Sequence, residues 1–202
     1  VLGYTLPSMV ALAIEHRISL SISSFQALDA LRELDTTDLR VHLKFDTGMC
    51  RQGFFAEDAV KLLDLLIHEF PQITIEGVFT HFASAKNPAF SDDTKQQLAK
   101  FAIILEECKR RGLKVIRHAA ATAGTLLFPE SHFDMVRIGI GFYGLWPAAQ
   151  VEAACSDRLA LRPVLAWKSV ISEIKSVPAA SRIGYDGSET VARDSRLGIV
   201  PI

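Results

Sequence analysis

Two short stretches place cations where they could do chemistry: Lys44-Phe45-Asp46-Thr47-Gly48-Met49-Cys50-Arg51 and Asp134-Met135-Val136-Arg137-Ile138-Gly139-Ile140-Gly141. Each belongs to the end of an apolar, strand-like run. In barrels of parallel strands the C-terminal strand ends gather the reacting groups, so the pair points to an anionic cofactor or substrate. Along residues 41–46, period two puts Val41, Leu43 and Phe45 on one face and His42, Lys44 and Asp46 on the other. Charges on an inward face need partners. Lys44, Asp46 and Arg51 therefore read either as a local ion cluster or as a carboxylate-binding Arg51 braced by its neighbours. His81 and His118 end two further strand-like runs, and a lone histidine such as His81 at a strand end is more often structural than functional. The small residues after His118 would let backbone N–H groups approach an anion, with Thr122 adding a hydroxyl. Gly139 and Gly141 alone are a weak signal, and no helix-opening dinucleotide fingerprint follows them.

The elements that must position these residues alternate. Strand signals run over residues 1–3, 18–23, 41–45, 73–81, 114–118 and 135–138. Helical patterns lie between them. Residues 24–34 begin after a serine pair suited to capping. Residues 57–70 space Val60, Leu63, Ile67 and Phe70 as one apolar face. Residues 91–111 open on Ser-Asp-Asp, carry Leu98, Phe101, Leu105 and Cys108 as a stripe, and close on Lys-Arg-Arg before Gly112, matching the helix dipole and its cap. Strand–helix alternation with short loops predicts a parallel sheet. Six strands suit an open doubly wound sheet, or the last six of a (β/α)8 barrel whose first two lie upstream. If they are the last six, residues 119–124 and 138–141 follow strands seven and eight, the usual phosphate position. Near residue 160 the pattern turns to alternation without helical period. We expect a partial (β/α)8 barrel over residues 1–158 and the start of a C-terminal all-β domain over residues 159–202.

Composition narrows the class of function. With 202 residues, 49% of them hydrophobic, the chain can bury a sizeable core, and a net charge of −1 offers no basic surface for nucleic acid. No apolar run is long enough to span a bilayer. Cys50, Cys108 and Cys155 are widely spaced and lack metal-ligand spacing, so they read as reduced thiols and no metal site is expected.

Five segments together are far more specific than any one of them. Residues 41–54 (VHLKFDTGMCRQGF), 77–84 (GVFTHFAS), 118–126 (HAAATAGTL), 134–147 (DMVRIGIGFYGLWP) and 182–187 (RIGYDG) resemble, in order and spacing, the alanine racemases. The resemblance spans nearly the whole chain. It implies an N-terminal barrel that holds pyridoxal 5′-phosphate, a C-terminal β domain, and a homodimer with shared active sites. It also implies interconversion of L- and D-alanine by two-base proton transfer, supplying D-alanine for cell-wall synthesis in the cytoplasm.

Position by position, Arg137 resembles the arginine that faces the cofactor's pyridine nitrogen. Tyr185 resembles the catalytic tyrosine, His81 the histidine between that tyrosine and Arg137, and His118 the next residue behind Arg137. Arg51 resembles the arginine near the substrate carboxylate, and Lys44 a lysine that is carbamylated in some members. Thr122, Gly139 and Ile140 resemble phosphate contacts. Ala121 stands where the family commonly has asparagine, and Glu189 where a second aromatic is common. The family's cofactor-binding lysine sits in a Lys-Ala-Asn context that no lysine of this chain has. The chain is thus expected to be an internal piece without turnover of its own. A broader amino-acid racemase and a non-catalytic pyridoxal-phosphate barrel are the alternative expectations.

Overall fold

A computed structural model describes residues 1–202. The chain forms two units, Val1–Arg162 and Pro163–Ile202.

In the first unit the strands are β1 (Leu20–Ile22), β2 (Arg40–Lys44), β3 (Thr74–Phe79) and β4 (Ile116–His118). They pair in sequence order and all in parallel. The helices are α1 (Val10–Glu15), α2 (Phe25–Asp29), α3 (Ala59–Glu69), α4 (Ser91–Arg110), α5 (Thr122–Leu127) and α6 (Ala149–Cys155). Sequential parallel pairing with a helix between successive strands is the barrel topology expected from the alternation.

The outer two of the six expected strand positions are extended segments rather than ladders. At one edge Val1 donates its terminal amine to the Ser19 carbonyl and accepts from the Ser21 hydroxyl. At the other, Arg137 donates its backbone N–H to Ala120 and makes a single parallel bridge to Ala121. That second segment is fixed instead by charge. Arg117 on β4 grips Asp134 through Nε and Nη2, both at 2.8 Å, and the Arg117 backbone N–H donates to the same carboxylate.

The period-two reading of β2 corresponds to the packing. Val41, Leu43 and Phe45 are fully buried in the apolar core they share with the inner faces of α3 and α4. Each such side chain contributes roughly 2 kcal/mol of burial. The helix faces differ from the simplest spacing. In α3 the buried set is Ala59, Leu62, Leu63 and Leu66, while Val60 and Ile67 are exposed. In α4 the buried set is Thr94, Gln97, Phe101, Ile104 and Cys108. Both helices carry apolar residues on more than one face, and packing against the sheet selects between them. Their ends follow the expected chemistry: Ser24 caps α2 by accepting from the Ala27 N–H at 3.1 Å, and Gly112 follows α4 with φ of +69°.

The second unit holds antiparallel strands: β5 (Glu173–Val177) with β8 (Ser195–Ile199), and β6 (Arg182–Ile183) with β7 (Glu189–Thr190). The architecture is a partial barrel followed by a β region. All three cysteines are free thiols, and no cluster of metal-ligating side chains occurs. No helix is long and apolar enough to cross a membrane.

Candidate functional site

The C-terminal ends of β2, β3 and β4 open onto one cavity of about 490 Å³. Its walls carry Lys44, Arg51, Lys86 and Arg137 and no acidic residue. His81, Phe79, Phe82 and Thr122 add polar and aromatic lining, and Gly139 and Ile140 border the cavity beside them. Four cations without a carboxylate make an anion site.

Arg137 reaches this cavity through a braced side chain. Its Nη1 donates to His118 Nδ1 at 2.8 Å. Its Nη2 donates to the carbonyls of Thr80 at 2.8 Å and Ala119 at 2.9 Å, and approaches His81 Nδ1 at 3.3 Å. None of these bonds uses Nε, so one edge of the guanidinium remains for a ligand. Burial lowers the Arg137 pKa to about 10, which still leaves a cation at neutral pH. The two histidines behind it are neutral. Burial, then the charges of Arg137, Arg51 and Lys44, brings His81 to about 4. Burial, then Arg137 and His42, brings His118 to about 3. The His118 ring stacks on Phe79 at 4.7 Å with the planes 7° apart, which fixes its orientation.

The loop after β2 follows another plan. Asp46 does not pair with Lys44 or Arg51, as the local cluster reading anticipated. Its Oδ1 accepts from the backbone N–H groups of Gly48, Met49 and Cys50, and its Oδ2 from that of Arg51, all between 2.8 and 3.1 Å. Burial opposes the Asp46 charge, but these four donors outweigh it and hold the pKa below the ordinary carboxylate value. They also hold Cys50 in a left-handed conformation, with φ of +53°. Gly53 lets the returning chain lie on β2, since a Cβ there would stand 2.4 Å from the Asp46 nitrogen. The Arg51 side chain is exposed and makes no hydrogen bond or ion pair, so it is free for a ligand carboxylate.

Lys44 is 5% exposed, with its nearest polar partner Gln52 Oε1 at 3.4 Å. Burial, then Arg51 and Arg137, lowers its pKa against a weaker opposing pull from Asp46. Thr122 is buried at the start of α5 and accepts from the N–H groups of Gly139 and Gly141, both at 3.2 Å. Its own hydroxyl proton has no acceptor in the chain, which suits an anion in the cavity it lines. Gly141 is needed for this approach, since a Cβ would lie 2.6 Å from Thr122 Cγ2.

Sequence reasoning missed two polar devices, one buried and one half-buried. Gln97, 3% exposed on α4, donates to Thr47 Oγ1 and the His81 carbonyl and accepts from the Ala83 N–H. It thereby ties the loops after β2 and β3 together. Thr47 and Thr80 close the same tie at 2.7 Å. The other device, behind His118, runs through His42 to Glu76.

Tyr185 belongs to the second unit. It lies on the turn between β6 and β7 and is 98% exposed. Arg182 holds that turn by donating to the carbonyls of Asp186 and Gly187.

Residues 1–147 match the family model described as the alanine racemase N-terminal domain. The chain belongs to that family. An alanine racemase of Leptospira interrogans is 40% identical over 168 residues, covering 81% of this chain and 43% of the relative. One from Oceanobacillus iheyensis is 34% identical over the whole chain and 53% of its own length. The chain therefore spans about half the length of the curated relatives it matches. Among solved structures, the alanine racemase of Bacillus anthracis with bound L-Ala-P superposes with a TM-score of 0.86 at 29% identity, covering 100% of this chain and 52% of that one. A histidine racemase from Leuconostoc mesenteroides gives 0.71 at 28% identity, covering 100% and 54%. The family is one of pyridoxal-phosphate-dependent isomerases.

Proposed function

We propose that the first unit is the cofactor-holding portion of an alanine racemase acting on L- and D-alanine. The single observation that carries this reading is the cavity with four cations and no carboxylate, set at the strand ends. Pyridoxal phosphate fits it. Thr122 has a spare hydroxyl proton for the phosphate beside the Gly139–Ile140 backbone, and Arg137 presents an unused Nε–H for the ring nitrogen. When bound, the cofactor supplies a conjugated ring that spreads the charge left on Cα after proton removal.

Arg137 keeps its own proton at any working pH, so it donates to the ring nitrogen without protonating it. The resulting electron demand is milder than an acidic partner would give, which favours returning the proton to Cα over other outcomes. Arg51 takes the carboxylate of the amino acid. Neutral His81 stands 3.3 Å from Arg137 and relays its polarity toward a phenol. Tyr185 is that phenol. We assign it to the site of a partner subunit in a homodimer, where it exchanges the α-proton on one face.

The lysine that holds the cofactor covalently in this family stands in a Lys-Ala-Asn context, and no lysine here has it. We therefore assign cofactor binding, without turnover, to these 202 residues by themselves. Lys44 is a candidate for carbamylation: after giving up its ammonium proton, the amine would bond to carbon dioxide and release a second proton to solvent, leaving an anion beside Arg51 and Arg137. A carbamate carbon signal in 13C NMR after equilibration with 13C-bicarbonate, lost in Lys44→Ala, would establish it, and absence of that signal would remove it. In the cell the D-alanine would serve the cell wall, and the enzyme would work in the cytoplasm.

The likeness to a histidine racemase favours a second reading, a broader or different amino-acid substrate. A racemisation panel on a protein that includes the covalent lysine tests both. Alanine is expected to be turned over fastest, and faster turnover of histidine, serine or lysine would overturn the substrate assignment. Tyr185→Phe is expected to abolish α-proton exchange on one face while the cofactor still binds. Unchanged exchange would remove Tyr185 from its role.

A further inference from the structure

Behind Arg137 a single line of hydrogen bonds crosses the sheet from β4 to β2 to β3. His118 Nε2 and His42 Nδ1 are 2.8 Å apart, and His42 Nε2 lies 3.2 Å from Glu76 Oε2. Glu76 also accepts from the Ser19 hydroxyl and, on Oε1, from Arg40 Nη1 at 3.2 Å. Only one arrangement of protons satisfies the line. Arginine can only donate, so His118 Nδ1 must accept, and the neutral His118 must carry its proton on Nε2. That proton goes to His42 Nδ1, which leaves the His42 proton on Nε2 and directs it to Glu76. Every proton in the line therefore points away from Arg137, and the line ends on an anion.

Two irregularities in β3 build this ending. The register with β2 slips between Val41 and His42, so that Val41 faces Ile75 while His42 faces Gly77. Glu76 is the extra residue, and a bulge re-aims the side chain it carries. The next residue has no side chain. A Cβ on Gly77 would stand 2.2 Å from His42 Nδ1, so only glycine leaves room for the imidazole to reach His118.

We propose that Glu76 is a positioning residue for the cofactor site, acting through His42 and His118 to fix the tautomer that receives Arg137. The inference rests on the reading of Arg137 as the cofactor's ring partner. Neutral histidines suit it: partial burial lowers the His42 pKa against the opposing pull of Glu76, and His118 is only 1% exposed. With the line intact, Nη1 is held at one end and Nη2 by two carbonyls, so the guanidinium is fixed with Nε unpaired. Without Glu76, His42 has no acceptor for Nε2–H and can change tautomer. It would then present a proton to His118 instead of a lone pair.

Selective 15N-histidine labelling with long-range proton–nitrogen correlation reads the tautomers directly in the 202-residue chain. Both His42 and His118 are expected as neutral Nε2–H forms. In Glu76→Ala, His118 should show mixed tautomers, and pyridoxal phosphate should bind about tenfold more weakly, the effect of losing one charge-assisted bond. Glu76→Gln preserves shape and an acceptor oxygen while removing the charge. There the tautomers should persist, with the His42 Nε2 proton moved upfield. An unchanged His118 pattern in Glu76→Ala, or an unmoved His42 proton in Glu76→Gln, overturns the inference whatever the cofactor does. A changed pattern in a chain that takes up no pyridoxal phosphate supports the tautomer control and counts against the functional reading alone.

Discussion

The two arginines in the cavity are held in opposite ways. Around Arg51 the backbone is fixed and the side chain is loose: Asp46 gathers four consecutive loop N–H groups, and the guanidinium beyond them has no protein partner. Around Arg137 the side chain itself is fixed, by His118 and by the carbonyls of Thr80 and Ala119. A loose cation on a rigid loop suits a small anion that enters and leaves at every turnover. A cation locked from behind suits a planar group that stays, since a misaligned donor would lose its bond to a ring atom. The difference separates resident from visitor before either is placed in the cavity.

Removing the locked arginine should produce the largest effect. Arg137→Ala leaves His118 Nδ1 and two carbonyls without their donor, each a desolvated acceptor. We expect a loss of about 3 kcal/mol in stability by denaturant unfolding and no measurable uptake of pyridoxal phosphate by equilibrium dialysis. Retention of cofactor affinity would break the comparison at its stronger end.

Acid should attack the same region next. The folded pKa of His118 lies at about 3, below its ordinary 6.5. Between those values the unfolded chain binds the extra proton, so stability is complete above pH 6.5 and falls as pH drops toward 3. The slope for one such group is at most about 1.4 kcal/mol per pH unit, or about 2 kcal/mol by pH 5. His81, lowered to about 4, adds in the same direction. The Asp46 loop has a separate window. Its carboxylate is held below 3.8, so its contribution is full above that value and is lost only as pH falls through the folded pKa. Urea midpoints measured from pH 7 to 3 should therefore decline first with the histidines. A curve flat down to pH 4 would show that His118 is not held neutral.

How much of this was legible in the residues follows from what each device depends on. Lys44, Arg51, His81, His118, Thr122 and Arg137 all stand at or just past strand ends, so alternation with period two was enough to gather them at one rim. Glu76 was not legible there. Its orientation comes from a register slip in β3, and no alternating pattern announces which residue a bulge will leave over. Gln97 was hidden by composition. Leu98 and Leu105 suggested a stripe one position away, whereas packing on the sheet turned Thr94, Gln97 and Phe101 inward. The segment at residues 135–138 carried a strand-like sequence but makes one bridge, because Arg117 and Asp134 fix it by charge before a ladder begins. Asp46 looked like an ion-pair partner because sequence shows neighbouring charges and not neighbouring backbone donors.

Asp46→Asn probes the rigid half of the Arg51 arrangement. The amide keeps one acceptor oxygen but turns its NH2 toward a loop that presents only N–H donors. We expect about 1.5 kcal/mol of destabilisation by thermal or urea unfolding, because a bond to a neutral oxygen is weaker and one N–H is left bare. The loop should also lose the left-handed turn at Cys50, and the exposed thiol there should react with a maleimide at a changed rate. Unchanged stability together with an unchanged thiol rate would show that the four bonds are incidental to the loop.

Arg51→Gln should do least to the fold and still matter to function. The side chain is exposed and unpartnered, so stability is expected to change by less than about 0.5 kcal/mol. Its removal takes away one charge-assisted contact to a carboxylate. In an assay with a protein that includes the covalent lysine, KM for alanine is expected to rise by about tenfold, with cofactor affinity unaltered. That split between substrate and cofactor is the sharpest form of the contrast between the two arginines. If Arg51→Gln weakened pyridoxal phosphate as strongly as Arg137→Ala does, the loose cation would be serving the resident group, and the distinction drawn from how each side chain is held would fail.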